Sequence, residues 1–260
     1  MGGTFLVGIR NVISFNGTND VQIFSAGASG NKIVGNTIQG STTTTTVGIS
    51  VGIFSEAAAG TGNTLSGNSI SGHTGLGIDL APPGVNPNTP GGANNFPVLT
   101  SAQLDVNGNT TIAGTLNSTA NASFSIEYFS NASCNASQNG EGTTFLGSTT
   151  VTTDGNGNAS VTVIVSGPAA GNAITATATD GAGTTSEFSA CVTVAPIAIG
   201  VAPRAAGNSV AQSFNLAPAD VEVLGVGVLT DGVLTAPRRR SAASVLGAGQ
   251  VRGFTAIQRR

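Results

Sequence analysis

Gly35-Asn36-Thr37-Ile38-Gln39 and Gly67-Asn68-Ser69-Ile70-Ser71 are one phrase written twice, and Arg10-Asn11-Val12-Ile13-Ser14 is an earlier copy. Two copies carry a leading version of the same phrase, Gly30-Asn31-Lys32-Ile33-Val34 and Gly62-Asn63-Thr64-Leu65-Ser66. A second short apolar run follows each: Val21-Gln22-Ile23, then 47–53, then Leu76-Gly77-Ile78-Asp79-Leu80. The spacing is 25 residues and then 32. Internal repetition of this length signals a stacked architecture. Strands of three to five residues form no stable sheet alone. Stacked coil on coil, about 4.8 Å apart, they become three continuous parallel sheets around a narrow interior. Ile13, Ile38 and Ile70 are then expected to face inward, one above another. Asn11, Asn36 and Asn68 are expected to stack as an amide ladder, as in cross-β assemblies. Glycine beside the asparagines permits a positive-φ corner. The Thr42–Thr46 run reads as an insertion bulging from one corner.

The composition agrees with an all-β chain. Only 8% of the 260 residues are charged, Trp is absent, and Gly occurs 38 times. A chain that is 39% hydrophobic with so little charge is not a disordered one. Residues 1–194 hold two basic groups, Arg10 and Lys32, against nine acids. That sparse acidic body offers no footprint for nucleic acid. No apolar run is long enough for a membrane span, and Met1-Gly2-Gly3-Thr4-Phe5-Leu6 lacks the layout of a signal peptide.

Residues 81–97, with Pro82, Pro83, Pro87 and Pro90 among repeated Gly, read as a linker. Residues 98–194 then change character. Asn107-Gly108, Asp154-Gly155-Asn156-Gly157 and Asp180-Gly181 punctuate alternating runs, which are strong hairpin signals. Phe124, Ile126 and Tyr128 share one face, with Ser125 and Glu127 on the other. Val161, Val163 and Val165 repeat the pattern, as do Phe188, Ala190, Val192 and Val194. About seven strands in under a hundred residues suggest an antiparallel β-sandwich of immunoglobulin-like type. Residues 195–260, with Arg238-Arg239-Arg240 and Arg259-Arg260, read as a poorly ordered low-complexity tail. Within it, Val221–Leu229 suggests one strand and Asp231-Gly232 one turn. A polyanion or membrane-surface patch is the sharper alternative.

Cys134 and Cys191 have no His or further Cys near them in sequence, so a metal site is disfavoured. A disulfide tying the Cys134 loop to the last strand is the favoured reading, through the compartment argument. Two unpaired thiols are the alternative. Cys191 is out of phase with Phe188, Ala190 and Val192, so the bridge is expected at the surface.

Gly2-Gly3-Thr4, followed by Asn11-Val12-Ile13-Ser14 and Gly35-Asn36-Thr37-Ile38, resembles the bacterial right-handed parallel β-helix repeat proteins of the pectin-lyase-like fold. The resemblance covers roughly residues 1–95. It implies a partial β-helix of three to four coils over 1–80, begun inside a coil as a truncated product would be, with its export signal lost. Asn131-Ala132-Ser133-Cys134, the run 140–148 and Thr185-Ser186-Glu187-Phe188-Ser189-Ala190-Cys191 look like the module that follows β-helices in secreted bacterial proteins. The resemblance implies a secreted or cell-surface location and contacts with extracellular carbohydrate or surface components.

That family includes lyases, hydrolases and non-catalytic surface proteins, so function must come from the site. Lyases of this fold use clustered carboxylates and a basic residue. Here Asp20, Glu56 and Asp79, with Arg10 and Lys32, are scattered over separate corners. Glycoside hydrolysis needs two facing carboxylates, and none are evident. His73 reads as a solvated corner residue rather than a base. In relatives the loop after a Gly-Ile-Asp-Leu phrase looks calcium-binding. Here Asn86, Asn88, Asn94 and Asn95 stand instead of Asp, and amides are weaker ligands. No cofactor is expected, with Ca2+ at this loop the weaker alternative. A carbohydrate-binding module would want exposed aromatics, yet Tyr128 is the sole Tyr and falls on the core face. The expectation is a non-catalytic structural or adhesive protein. The alternative is a fragment of a polysaccharide-active enzyme whose catalytic coils lie upstream. The 81–97 segment is expected to cover the final coil against edge-to-edge association.

Overall fold

The computed structural model describes residues 10–14, 16, 18–40 and 50–196, and the strand residues 229–230 and 233–234. All regular structure there is β; no helix occurs among the described residues. Eight short strands lie among the described residues of the first eighty. They are β1 (Val12–Ser14), β2 (Asn19–Ile23), β3 (Lys32–Val34), β4 (Thr37–Gln39), β5 (Val51–Ser55), β6 (Thr64–Ser66), β7 (Ser69–Ser71) and β8 (Ile78–Leu80). The chain visits three small sheets in rotation, ordered β1-β4-β7, β2-β5-β8 and β3-β6. Every pair is parallel. In the first sheet Ile13 is opposite Ile38, and Ile38 opposite Ile70. In the second, Val21, Ile53 and Ile78 form the corresponding row.

The change of spacing from 25 to 32 residues does not shift this register, since Ile13, Ile38 and Ile70 remain opposite one another. Period-two alternation does the sorting. Ile38, Ile53, Leu65, Ile70 and Ile78 point into a shared interior, and Ile38 and Ile53 are 0% exposed. Val12 and Val34, one residue out of phase with their inward neighbours, are exposed.

Two asparagine rows bind the turns. Asn11 Nδ2 donates to Asn36 Oδ1 at 2.9 Å, and Asn36 Nδ2 donates to Asn68 Oδ1 at 3.1 Å. Asn68 Oδ1 also accepts the Asn36 backbone N–H at 2.9 Å, while Asn68 Nδ2 donates to Ile33 O at 2.7 Å. The leading phrase builds a second row. Asn63 Oδ1 accepts Asn31 N and Asn31 Nδ2, and Asn63 Nδ2 donates to Ala28 O and Gly60 O. Gly35 and Gly67, which precede the first row, have φ of +69° and +60°, a conformation glycine adopts without a Cβ penalty.

Seven strands follow, all but the last longer than those before: β9 (Val98–Leu104), β10 (Asn109–Asn117), β11 (Ser123–Asn131), β12 (Thr144–Thr152), β13 (Asn158–Ser166), β14 (Ala173–Asp180) and β15 (Val192–Ala195). They form one sheet in the order β12-β11-β14-β15-β9-β10-β13. The sheet is mixed, because β15 runs parallel to β9 while the other pairs are antiparallel. Its two edge strands, β12 and β13, approach each other, so the sheet is nearly closed. The Asp154–Gly157 turn therefore joins neighbours that are not hydrogen-bonded partners, which corrects the hairpin expected there. The interior holds Leu99, Ile112, Leu116, Phe124, Ile126, Tyr128, Val161 and Val194.

Three of its turns share one design. Asp105, Asp154 and Asp180 each accept, through Oδ1, the backbone N–H groups two and four residues on, at 2.8–2.9 Å. The residue three positions on is Gly108, Gly157 or Gly183, with φ of +83°, +81° and +90°. An Asp oxygen that accepts local amides and a glycine that takes positive φ together stop the strand and reverse it.

Alternation fails after Thr185. Ala190 is exposed, and β15 begins only at Val192, whereas Ser186, Glu187, Phe188 and Ser189 are all buried. The expected strand from Glu187 gives way because this stretch faces the coils instead of continuing the sheet.

The chain divides into two units, Met1–Gly200 and Val201–Arg260. In the second, β16 (Leu229–Thr230) pairs antiparallel with β17 (Val233–Leu234). The remaining expectations for the tail lie outside the described residues, as does the Thr42–Thr46 insertion.

Candidate functional site

The last coil ends in β6, β7 and β8, each paired on one side only within its small sheet. Such an edge presents unpaired N–H and C=O groups, and buried ones must find partners. Residues of the seven-stranded part supply them. Ile70 and Gly142 exchange two backbone hydrogen bonds, at 2.9 and 3.1 Å. Leu65 N donates to Thr185 Oγ1 and Gly62 N to Thr184 Oγ1, both at 3.0 Å. Thr64 Oγ1 donates to Gly183 O at 2.9 Å.

Three glutamates take the corners. Glu127 accepts from the Ser66 hydroxyl and from Gly67 N at 2.8 Å. Glu141 accepts Gly72 N and His73 N, both at 2.9 Å. Glu187 accepts Leu80 N at 3.0 Å, then Asn86 N and Asn86 Nδ2 at 2.9 Å. A carboxylate meeting several N–H groups makes charge-assisted bonds, stronger than neutral ones. Burial pushes the Glu187 carboxyl up, against the lowering effect of its bonds to Asn86 and Leu80.

Phe129 and Phe188 close the apolar interior between these corners. Both are 2% exposed and belong to the cluster of Ile38, Ile53, Ile70 and Ile78. Their rings meet edge to face, with centroids 5.3 Å apart. Gly142 permits the approach, since a Cβ there would lie 2.6 Å from Phe188 Cζ. The final coil is thus covered chiefly by residues of the seven-stranded part. The 81–97 segment, expected to do this, contributes through Asn86.

His73 is not the solvated corner residue expected from sequence. It is 5% exposed. Nε2 lies 2.8 Å from Asp20 Oδ2 and Nδ1 2.7 Å from Glu141 Oε1. Asp20 also accepts Asn16 N at 3.2 Å. Sequence reading missed the site because these partners stand 53 and 68 residues away. The one available signal was that the sole His follows the last Asn-Ser-Ile phrase, where the coil turns its corner.

The other sequence candidates do not converge on an open surface. Glu56 accepts from Gln22 Nε2 at 2.7 Å. Asp79 accepts Gly84 N at 3.1 Å, and burial pushes its carboxyl up. It lines a groove of about 500 Å³ with Phe54, Leu76, Val85 and Thr74. Arg10 and Lys32 are exposed. Asn88 and Asn95 use their amide oxygens on Phe96 N and Thr89 N, holding their own loop. Asn86 donates to Leu80 O and Glu187. No group of three or more His, Cys, Asp or Glu suited to a metal ion occurs among the described residues. Cys134 and Cys191 form a disulfide, with Cα atoms 6.1 Å apart. The bridge is half-buried and fastens the loop that leads to Glu141. No helix among the described residues is long and apolar enough to cross a membrane.

No protein-family model matches the chain, and the search of curated proteins finds no match either.

Proposed function

We propose that this chain is a non-catalytic, extracellular or cell-surface structural protein. In this reading residues 1–80 are coils of a right-handed parallel β-helix of the pectin-lyase-like kind. An immunoglobulin-like module over 98–194 closes their end, and the assembly serves as a stalk or adhesive element. The observation that carries the reading is the use of the acids. Each of the nine acidic residues in 1–194 accepts a hydrogen bond from the protein's own turns, coil edges or side chains. Acid–base catalysis at a glycosidic bond needs carboxyls that reach substrate, whereas eight of these hold backbone N–H groups and Glu56 holds the Gln22 amide. The His73 ring is 0% exposed, so it meets no substrate. The disulfide is compatible with an oxidising compartment.

The test is incubation of the full chain with a panel of pectic, alginate and neutral polysaccharides, together with binding to immobilised cell-wall fractions. The reading expects retention on a surface fraction and no new reducing ends or unsaturated products. Product release that disappears on heat denaturation would overturn it.

A further inference from the structure

The His73 side chain occupies a slot made by glycine. A Cβ on Gly40 would lie 2.8 Å from His73 Cδ2 and 2.5 Å from Gly72 O. A Cβ on Gly52 would lie 3.3 Å from His73 Cε1 and 2.8 Å from Ile70 Cγ2. The ring belongs to the last coil and crosses the middle one between these two glycines. It so reaches Asp20 on β2, in the first described coil, while its other nitrogen meets Glu141 of the second module. One side chain therefore links three layers.

Its hydrogen bonding sets the charge. A neutral imidazole has one N–H and one lone pair. Between two carboxylate acceptors it would satisfy one and turn a lone pair towards the other. The imidazolium donates to both. Asp20 and Glu141 are the groups that act on the ring's charge; at Gly40 and Gly52 the middle coil presents no side chain to it. Glu141 keeps its bonds from Gly72 N and His73 N in either state, but loss of the ring proton leaves one of the two carboxylates facing a lone pair and so weakens the chain of bonds from Glu141 through His73 to Asp20.

We infer that Asp20, His73 and Glu141 form a proton-dependent latch that fastens the second module to the coils when His73 is charged and loosens as the ring loses its proton. The inference rests on the reading of the second module as the cap of the coils. Burial of the ring opposes its charge, yet the bonds to Glu141 and Asp20 outweigh it and hold the pKa above the ordinary 6.5. The sign follows. A raised folded-state pKa gives stability that is complete below the unfolded value and is lost as pH rises through the folded one.

The chain has a single His, so labelled-histidine NMR of the full chain reads this one ring from mildly acidic to alkaline pH. Hydrogen exchange, expressed as protection factors, is followed at Ile70, Gly72 and Gly142 over the same range. The expected result is a midpoint above 6.5 and protection that falls through that midpoint. The loss should be about tenfold for each unit by which folding raises the pKa. In Asp20→Asn the midpoint should drop and the loss of protection should move with it. A midpoint at or below 6.5, or protection flat across it, would overturn the latch. Gly67 and Leu80, held by Glu127 and Glu187, separate the two failures. If they are unprotected at every pH, the cap reading fails; if they are protected while Gly72 is insensitive to pH, only the latch fails.

Discussion

Replacing Asn68 by Ala should separate the buried asparagine row from an exposed one. Asn68 is 3% exposed and serves three groups: Asn36 N, Asn36 Nδ2 and Ile33 O. Asn36 is itself buried, so water reaches these groups poorly once the amide is gone. A typical hydrogen bond contributes about 1 kcal/mol net, and a buried group left unpaired costs about 1–3 kcal/mol. Taking the lower figure for each of the three gives a loss of about 3 kcal/mol. Asn11 is the control. It makes the same ladder contact, Nδ2 to Asn36 Oδ1, but is exposed. Its removal should cost less than about 1 kcal/mol, because water replaces it.

Urea unfolding of the full chain measures both variants. With a slope of about 2 kcal/mol/M, Asn68→Ala should lower the midpoint by about 1.5 M, and Asn11→Ala should barely move it. Asn68→Asp sharpens the test. It keeps the acceptor for Asn36 N but sets a carboxylate oxygen against Ile33 O, so it should be as damaging as Ala at neutral pH and partly recover in acid. Equal small losses for Asn68→Ala and Asn11→Ala would refute the argument, because the row would then hold nothing that water cannot.

Gly108→Ala and Gly157→Ala test whether the turns need space as well as positive φ. Nothing lies within 4 Å of a Cβ on Gly108, whereas one on Gly157 would lie 2.1 Å from Ser118 O. Thermal melts should show a loss of about 1–2 kcal/mol for the first and about 1–3 kcal/mol more for the second; equal losses would deny the crowding. Cys134→Ser with Cys191→Ser opens a bridge spanning 57 residues. Chain entropy predicts a loss of about 4 kcal/mol, read by urea unfolding, with new proteolytic cleavage near 132–143. Asp79→Asn keeps an acceptor for Gly84 N and removes a carboxylate whose pKa burial raises. A folded pKa above 3.8 means stability falls as pH rises through it. The variant should therefore match or exceed the parent at neutral pH and show a flatter melting profile between acid and neutral pH.

The parts of the fold that were legible in the sequence are those specified locally. Asn-x-Ile repeats at 11–13, 36–38 and 68–70 carry strand, corner and register together, since each phrase needs only its copy. The turns were legible as the local signals Asn107-Gly108, Asp154-Gly155-Asn156-Gly157 and Asp180-Gly181, but their shared design, an Asp acceptor with a positive-φ glycine three residues on, was not read from them. The all-β class follows from both. Cys134 and Cys191 were legible because a chain with two cysteines offers one pairing. The cap was not. Glu127 alternates with Phe124, Ile126 and Tyr128 as a solvent-facing residue should, yet it is buried against Ser66 and Gly67. Alternation says which face a residue takes, not whether water or another strand edge lies beyond it. Ala190 failed in the opposite sense, exposed where alternation put it inside. His73 escaped because its slot is made by Gly40 and Gly52, and a missing side chain leaves no pattern at a distance.

The placement of the acids explains why so weakly charged a chain keeps them. A parallel coil stack of Gly, Asn, Ser and Thr can satisfy its interior turns with amides, because each coil offers the next a copy of itself. The final edge has no copy to meet. Its N–H groups at Gly67, Gly72, His73 and Leu80 need acceptors from outside the repeat, and a carboxylate supplies two oxygens without a competing donor. A glutamine there would satisfy one N–H and turn its own NH₂ towards the next. Glu127, Glu141 and Glu187 sit where that difference counts, whereas Asp105, Asp154 and Asp180 serve isolated turns, each taking both backbone amides on one oxygen. Neutralising one edge glutamate as Gln should therefore cost more than neutralising Glu56, whose contact with Gln22 is exposed. For Glu187, which meets three N–H donors, replacement leaves one oxygen to serve them, a loss of about 2 kcal/mol or more. Partial relief of its burial cost works the other way, because Gln carries no charge to desolvate. Unfolding of Glu187→Gln beside Glu56→Gln decides which term wins. A destabilised Glu187→Gln with an unchanged Glu56→Gln assigns the acids to the edge; the reverse order would mean that desolvation outweighs the bonds and the edge tolerates a neutral partner.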